Sequence, residues 1–333
     1  MNALSLFRAE PEDNACRFSG SGGHVESYFL RLNDPSKPRA LWLKQTILSP
    51  LKGSPVAETW LIWFDGAKEP IATRVTEPWT QFKAPDIDTA ALKLNVGATG
   101  RALTPTPLAG VSVDLSWKPS DSPIAKPLSI FPYRFLRVGP FPKSKLLTPS
   151  PALIFGGTIS LSNAERVDVA GWHGMQGHNW GKEHSFEYAW GQCLFPSEDA
   201  MLEGFTGRVR VGGRTTPRMS ALIVRRGGRE FRFDRIFDPW RQEQLIEPDR
   251  WEIRLRSDDG EAHLVMNSSA RAQACLGYRN PDDVMSYCFN SKLASVECEV
   301  RPSDGAAFTL KSEHGGALEF LRREPDPRFP KVT

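Results

Sequence analysis

Most of the signatures by which a function is read directly from sequence are missing here. Cysteines are few and odd in number (Cys16, Cys193, Cys275, Cys288 and Cys298), with no C-x-x-C spacing. That argues against a disulfide framework and against structural zinc. There is no G-x-S-x-G, no Walker A sequence, and no G-x-G-x-x-G in a strand–helix setting, so the corresponding nucleophile, phosphate and dinucleotide sites have no footing. No apolar run reaches the length of a membrane helix. Residues 1–16 lack the basic-then-apolar order of a secretory leader. A cytoplasmic protein is therefore expected, with peripheral membrane contact left open. The net charge of +3 is scattered, which gives no nucleic-acid-binding patch. Long helical stripes are also lacking.

Period-two alternation takes their place. Val111, Val113, Leu115 and Trp117 alternate with Ser112, Asp114, Ser116 and Lys118, and Trp251, Ile253 and Leu255 oppose Glu252, Arg254 and Arg256. Such patterns mark strands with one buried and one polar face. Further strands are expected at 26–32, 40–48, 58–64, 69–75, 153–161, 186–194, 204–211, 219–226, 230–237, 261–267, 296–301, 307–311 and 317–322; only 286–295 suggests a short helix. Gly and Pro number 27 each, punctuation that suits short strands joined by turns. The 333 residues, 40% hydrophobic, suffice for two domains. The segment 119–151 holds eight prolines without alternation and reads as a crossing between an N-terminal β domain (1–118) and a C-terminal one (152–333).

Chemistry concentrates in residues 170–193, AGWHGMQGHNWGKEHSFEYAWGQC. His173, His178 and His184 could ligate a metal with Glu183, but their spacing does not match H-E-x-x-H, and on a strand His173 and His178 would face opposite ways. No metal site and no cofactor are expected. A His or carboxyl group in an apolar, aromatic-lined barrel would instead have its charged form disfavoured and suit proton transfer near neutrality. The candidates for that role are His178, Glu183 and His184, with Glu187 beside them. The walls of an apolar site are expected from Trp172, Gln176, Asn179, Trp180, Tyr188 and Trp190, joined by Trp42 and Trp63. The competing interpretation makes the tryptophans core and His178 a partner of buried backbone.

Several pieces together resemble a known group. ESYFLRL (26–32), LWLKQTIL (41–48) and ETWLIWFD (58–65) are similar to the opening of the AttH-like, carotenoid 1,2-hydratase-like superfamily, which includes the tocopherol cyclases and the lipocalin-type Diels–Alderases. GMQGHNWG (174–181) resembles its Asp-His-Glu/Gln-Trp-Gly motif, and CLGYRNPDDVMSYCFNSK (275–292) its late strand–turn–strand region. The resemblance implies an all-β protein of two consecutive lipocalin-like (calycin) antiparallel barrels or sandwiches, monomeric or homodimeric. It also implies an apolar small-molecule ligand and cofactor-independent, acid-assisted lyase or cyclase chemistry, such as hydration or ring closure, on an isoprenoid or polyketide-like substrate. His178, Trp180 and Gly181 match the motif, whereas Gly177 stands where it has an acid and Asn179 where it has Glu or Gln. Glu183 and His184 are then the substitutes for the proton donor. The alternatives are a non-catalytic carrier of a lipid or pigment and a metal enzyme using His173, His178 and His184.

Overall fold

The computed structural model describes residues 11–66, 68–80, 84–211, 213–269, 272–328 and 331–332; most of the N-terminal stretch examined for a leader lies outside them. Strand makes up 60% of the described residues and helix 6%. The first antiparallel sheet is built from β1 (His24–Asn33), β2 (Arg39–Ser49), β3 (Val56–Asp65), β4 (Ile71–Pro78), β5 (Asp86–Asp88), β6 (Lys93–Asn95), β7 (Gly100–Leu103), β8 (Val111–Pro119), β9 (Ser144–Leu161), β10 (Arg166–Asp168) and β11 (Trp172–Gly181). Next come β12 (Glu187–Phe195), β13 (Ala200–Arg208), the small hairpin β14 (Arg210–Val211) and β15 (Arg214–Thr215), β16 (Met219–Arg226), β17 (Arg229–Phe233) and β18 (Gln242–Ile246). The chain ends with β19 (Arg250–Ser257), β20 (Gly260–Asn267), β21 (Ala274–Arg279), β22 (Met285–Pro302), β23 (Phe308–Arg322) and β24 (Lys331–Val332). All of these but the hairpin form the second sheet. The two curled sheets are the two lipocalin-like half-barrels expected from the sequence.

Each sheet wraps its own core. Leu43, Leu61, Trp63, Leu94, Val113 and Trp172 meet inside the first, and Leu202, Trp251, Leu264, Phe289, Val296 and Leu318 inside the second. A third cluster (Phe29, Trp42, Trp60, Trp190, Leu276 and Leu321 among it) joins the outer face of β1–β3 to the second sheet. This overturns the expectation of a wet face on those strands. From their second residues onward β1 and β2 are buried throughout, because one face fills the first half-barrel and the other lies against its neighbour.

Two further expectations are corrected. Residues 286–295 belong to the long strand β22 rather than to a helix. Over 286–295 both faces are largely buried, and one of them carries Ser286, Asn290 and Lys292, so the period-two signal vanished there. The boundary near Ala152 falls inside β9, which pairs with β8 and β11 of the first sheet, and the handover between sheets is 182–186. The Pro-rich 119–151 supplies the start of β9, whose register shifts beside Pro149 and Pro151 lie opposite Gly174–His178. Proline is tolerated at such bulges because a ladder hydrogen bond is already lost. The rest of the segment, including the five-residue helix α1 (Arg134–Val138), is a strap across the second sheet. Ile124, Leu128, Ile130 and Leu136 pack on Met201, Ala221 and Ile223, and the Arg225 guanidinium holds the strap by donating to the carbonyls of Ile124, Lys126 and Pro127. No helix among the described residues is long and apolar enough to cross a membrane.

Candidate active site

Between the two sheets and under the strap lies a cavity of about 470 Å³, within the size range of small-molecule sites. Its apolar wall includes Val25, Phe29, Phe131, Leu146, Phe205 and Met219. β2 contributes Trp42 and Lys44, β9 contributes Lys145, and β23 contributes Glu319. The 182–186 connection and its flanks supply Asn179, Trp180, His184, Tyr188 and Trp190. At the rim Glu187 accepts from Arg208 and Arg218.

The expected site residues divide between this cavity and the first half-barrel. Asn179, Trp180, His184, Tyr188, Trp190 and Trp42 line the cavity. Trp63 and Trp172 stack on each other inside the first core, with centroids 6.2 Å apart. Gln176 is buried there too, donating to the carbonyl of Gly177 at 2.9 Å. Glu183 lies on the connection and pairs with Lys143 at 3.2 Å, outside the cavity wall. The metal reading does not hold on geometry. Among the described residues no three His, Cys, Asp or Glu side chains converge as a metal site, and His173 and His178 lie on opposite faces of β11.

His178 is fully buried inside the first half-barrel and does not line the cavity, although its ring packs against that of cavity-lining Trp180, 4.7 Å between centroids. Its ring stacks on Tyr28, 4.1 Å between centroids, and its Nε2 meets Glu26 Oε1 at 2.8 Å. Burial lowers the imidazole's affinity for a proton; the Glu26 hydrogen bond opposes this, and the Arg17 and Arg137 cations add to it. Nδ1 has no partner among the described residues, which a neutral ring tolerates as an unused lone pair but a protonated ring would not. Nε2–H therefore donates to Glu26. Burial alone would push the Glu26 carboxyl up, but the hydrogen bonds from His178 and His24 outweigh it and bring it down to about 2.

The same register explains the departure at Gly177. A side chain there would project from the opposite face to His178, toward the second sheet. The Phe29 ring fills that space, with its Cζ 2.1 Å from where a Cβ would stand, and packs edge-on against Trp190 at 6.0 Å. The position at which the resembling motif has an acid thus belongs to the interdomain wall and is closed by an aromatic ring.

The polar groups that do reach the cavity are largely ones that sequence reasoning missed. Lys44 is 3% exposed, and burial brings its ammonium down to about 8. Burial alone does the same to Lys145, whose Nζ donates to the carbonyl of Leu136 at 2.7 Å. Glu319 accepts from Lys292 Nζ at 2.6 Å and from Asn290 at 3.0 Å, and the Tyr188 hydroxyl donates to it at 3.5 Å. Burial raises the Tyr188 phenol well above its ordinary value, so Tyr188 keeps its proton. The ring of His184 stacks on Tyr278 at 4.9 Å. Burial, then Lys44 and Arg323, hold it well below its usual range, leaving a neutral proton acceptor. A signal for Lys44 and Glu319 existed: each interrupts an apolar run, LWLKQTIL and ALEFL, and such runs mark strands buried on both faces.

Comparison with solved structures agrees with this architecture. A Nitrosomonas europaea protein provisionally assigned as AttH superposes with a TM-score of 0.59 at 12% identity, over 90% of this chain and 92% of its own. Kievitone hydratase from Nectria haematococca superposes with a TM-score of 0.58 at 10% identity, over 97% and 94%. The fold is that of the AttH-like proteins. Among curated sequences, uncharacterised proteins of Mycobacterium tuberculosis strains CDC 1551 and H37Rv are each 23% identical over 285 residues, 85% of this chain and 83% of theirs. No protein-family model matches the chain.

Proposed function

We propose that the chain is a cofactor-independent acid–base enzyme of the hydratase or cyclase type, acting on an apolar isoprenoid or polyketide-like molecule held in the interdomain cavity. The observation that carries this reading is a single apolar cavity lined by a proton donor and proton acceptors of opposite character. Adding water across a double bond requires a proton on one carbon and the removal of another from the attacking water; ring closure requires the same two services. Lys145, at about 8, is protonated at neutral pH yet releases its proton more readily than an ordinary amine. Glu319, anchored by Lys292, and neutral His184 are the acceptors. The likeness to kievitone hydratase supports the class of reaction, and the aromatic wall supports an apolar substrate.

The test is incubation with acyclic carotenoids, prenylated quinols and polyene tetramates, with products identified by mass spectrometry. Lys145→Met is expected to lower turnover by about 10²–10⁴-fold with substrate affinity changed only a few-fold, because the lost group acts in the transition state. Turnover by the unaltered protein is expected to fall as pH rises through about 8, where the acid form is lost. Binding across the panel without any product would make the protein a carrier.

A further inference from the structure

Lys44 stands apart from the other cations around the cavity. Arg208 and Arg218 share Glu187, and Lys145, which has no ion pair among the described residues, still donates to the Leu136 carbonyl. Lys44 has no ion pair among the described residues: its Nζ lies 3.8 Å from the centroid of the Tyr278 ring and 5.9 Å from that of Trp42. It is buried to all but 3% and its remaining exposure is to the cavity. An unpaired cation buried in this way costs free energy unless a partner arrives or the proton leaves. Nothing in the acid–base reading uses it.

We infer that the cavity takes an amphiphile with one carboxylate head, seated on Lys44 Nζ, and an apolar body lying along the Phe29, Phe131 and Phe205 wall. This rests on the cavity being the substrate site and names the substrate's polar end. The usual objection to a buried ion pair is the cost of desolvating two charges. Here Lys44 is desolvated by folding itself, so association has only the ligand's carboxylate to strip of water. The head must be ionised wherever Lys44 is charged. Lys44 loses its proton above about 8, so a carboxylic acid, ionised from about pH 4 upward, overlaps with it over a wide range. An ordinary phenol, with a pKa of about 10, does not.

Other titratable groups face Lys44 and could blur its pH response. Cys288, Glu319, Glu58 and Lys292 act on it electrostatically, Tyr278 lies beneath it, and His184 feels its charge. Lys145, also at about 8, lines the same cavity. The experiment therefore separates the two lysines by substitution.

Binding of dodecanoate and of uncharged 1-dodecanol is followed by quenching of the intrinsic tryptophan fluorescence, since Trp42, Trp180 and Trp190 line the cavity. At pH 6.5 the unaltered protein is expected to prefer dodecanoate by at least about tenfold, one well-formed charged contact. That preference should decline by about tenfold per pH unit above about 8 as Lys44 deprotonates, while dodecanol affinity stays flat. Lys44→Met should reverse the preference and abolish the slope; Lys145→Met should keep both. Thermal unfolding of Lys44→Met is expected to occur no earlier than in the parent, since an unpaired buried cation has been removed. Equal affinity for the two probes in the unaltered protein, or a preference that survives Lys44→Met, would overturn the carboxylate assignment alone. Failure of both probes to bind would overturn it together with the cavity as ligand site.

Discussion

His178→Ala is expected to lower folding stability by about 3 kcal/mol while sparing turnover per folded molecule. The ring it removes is fully buried, fills space against Tyr28 and donates to Glu26. Leaving a buried carboxylate short of one hydrogen-bond donor costs about 1–3 kcal/mol, more because the group is charged, and the space the ring vacates adds to it. The total is no larger because Glu26 retains His24 at 2.9 Å and the Arg17 amide at 2.8 Å. The pH dependence has a definite sign. The Glu26 carboxyl is held at about 2 against 4.5 unfolded, so its stabilisation is complete above pH 4.5 and lost as pH falls toward 2. His178 acts in the same direction: its folded-state value is lowered, so acid favours the unfolded chain, where it can be protonated. Urea unfolding from pH 7 to 3 should show the parent losing stability steeply below pH 4.5, and the variant starting lower and losing less. Intact stability with a turnover loss of a hundredfold or more would return His178 to the chemistry.

Lys292→Met is expected to be at least as damaging, at about 3–5 kcal/mol. Lys292 is fully buried in β22 and lies 2.6 Å from Glu319 on β23, so its loss strands a carboxylate among Tyr188, Cys288 and Leu321. Glu319 would then have Asn290, Tyr188 and the Cys288 thiol as its remaining donors. The double change Lys292→Met with Glu319→Leu removes both charges and should recover much of the loss, because a buried pair replaced by apolar groups of similar size is often neutral. Chemical denaturation of the two variants checks this. Equal destabilisation by the single and double changes would mean that packing, and not the ion pair, holds β22 to β23.

Much of the fold was legible because half-exposed strands announce themselves. β8 and β19 alternate cleanly and were expected within a residue or two. Of β22 only 296–301 was expected; over 286–295 burial on both faces erases the period-two pattern, and the same double burial hid the interface between the sheets. Nothing local in the Pro-rich segment said that its last eight residues, 144–151, would join β9 and most of the rest would strap the second sheet. Of the stretch 170–193, His184, Tyr188, Trp180 and Trp190 reach the cavity wall. His178 does not reach that wall: its side chain is buried in the first core, and position 177, on the other face of β11, is closed by the Phe29 ring. Lys44, Lys145 and Glu319 come from three distant strands, and only the packing of the two sheets brings them to one cavity.

The most direct test of the central claim is a crystal structure of the protein with its apolar ligand bound. The account predicts ligand density between the two sheets, its body against Phe131, Phe205 and Trp180 and its polar end near Lys44 and Tyr188, with the His178–Glu26 contact undisturbed. Density inside the first half-barrel, displacing Tyr28, Trp63 or Trp172, would contradict it.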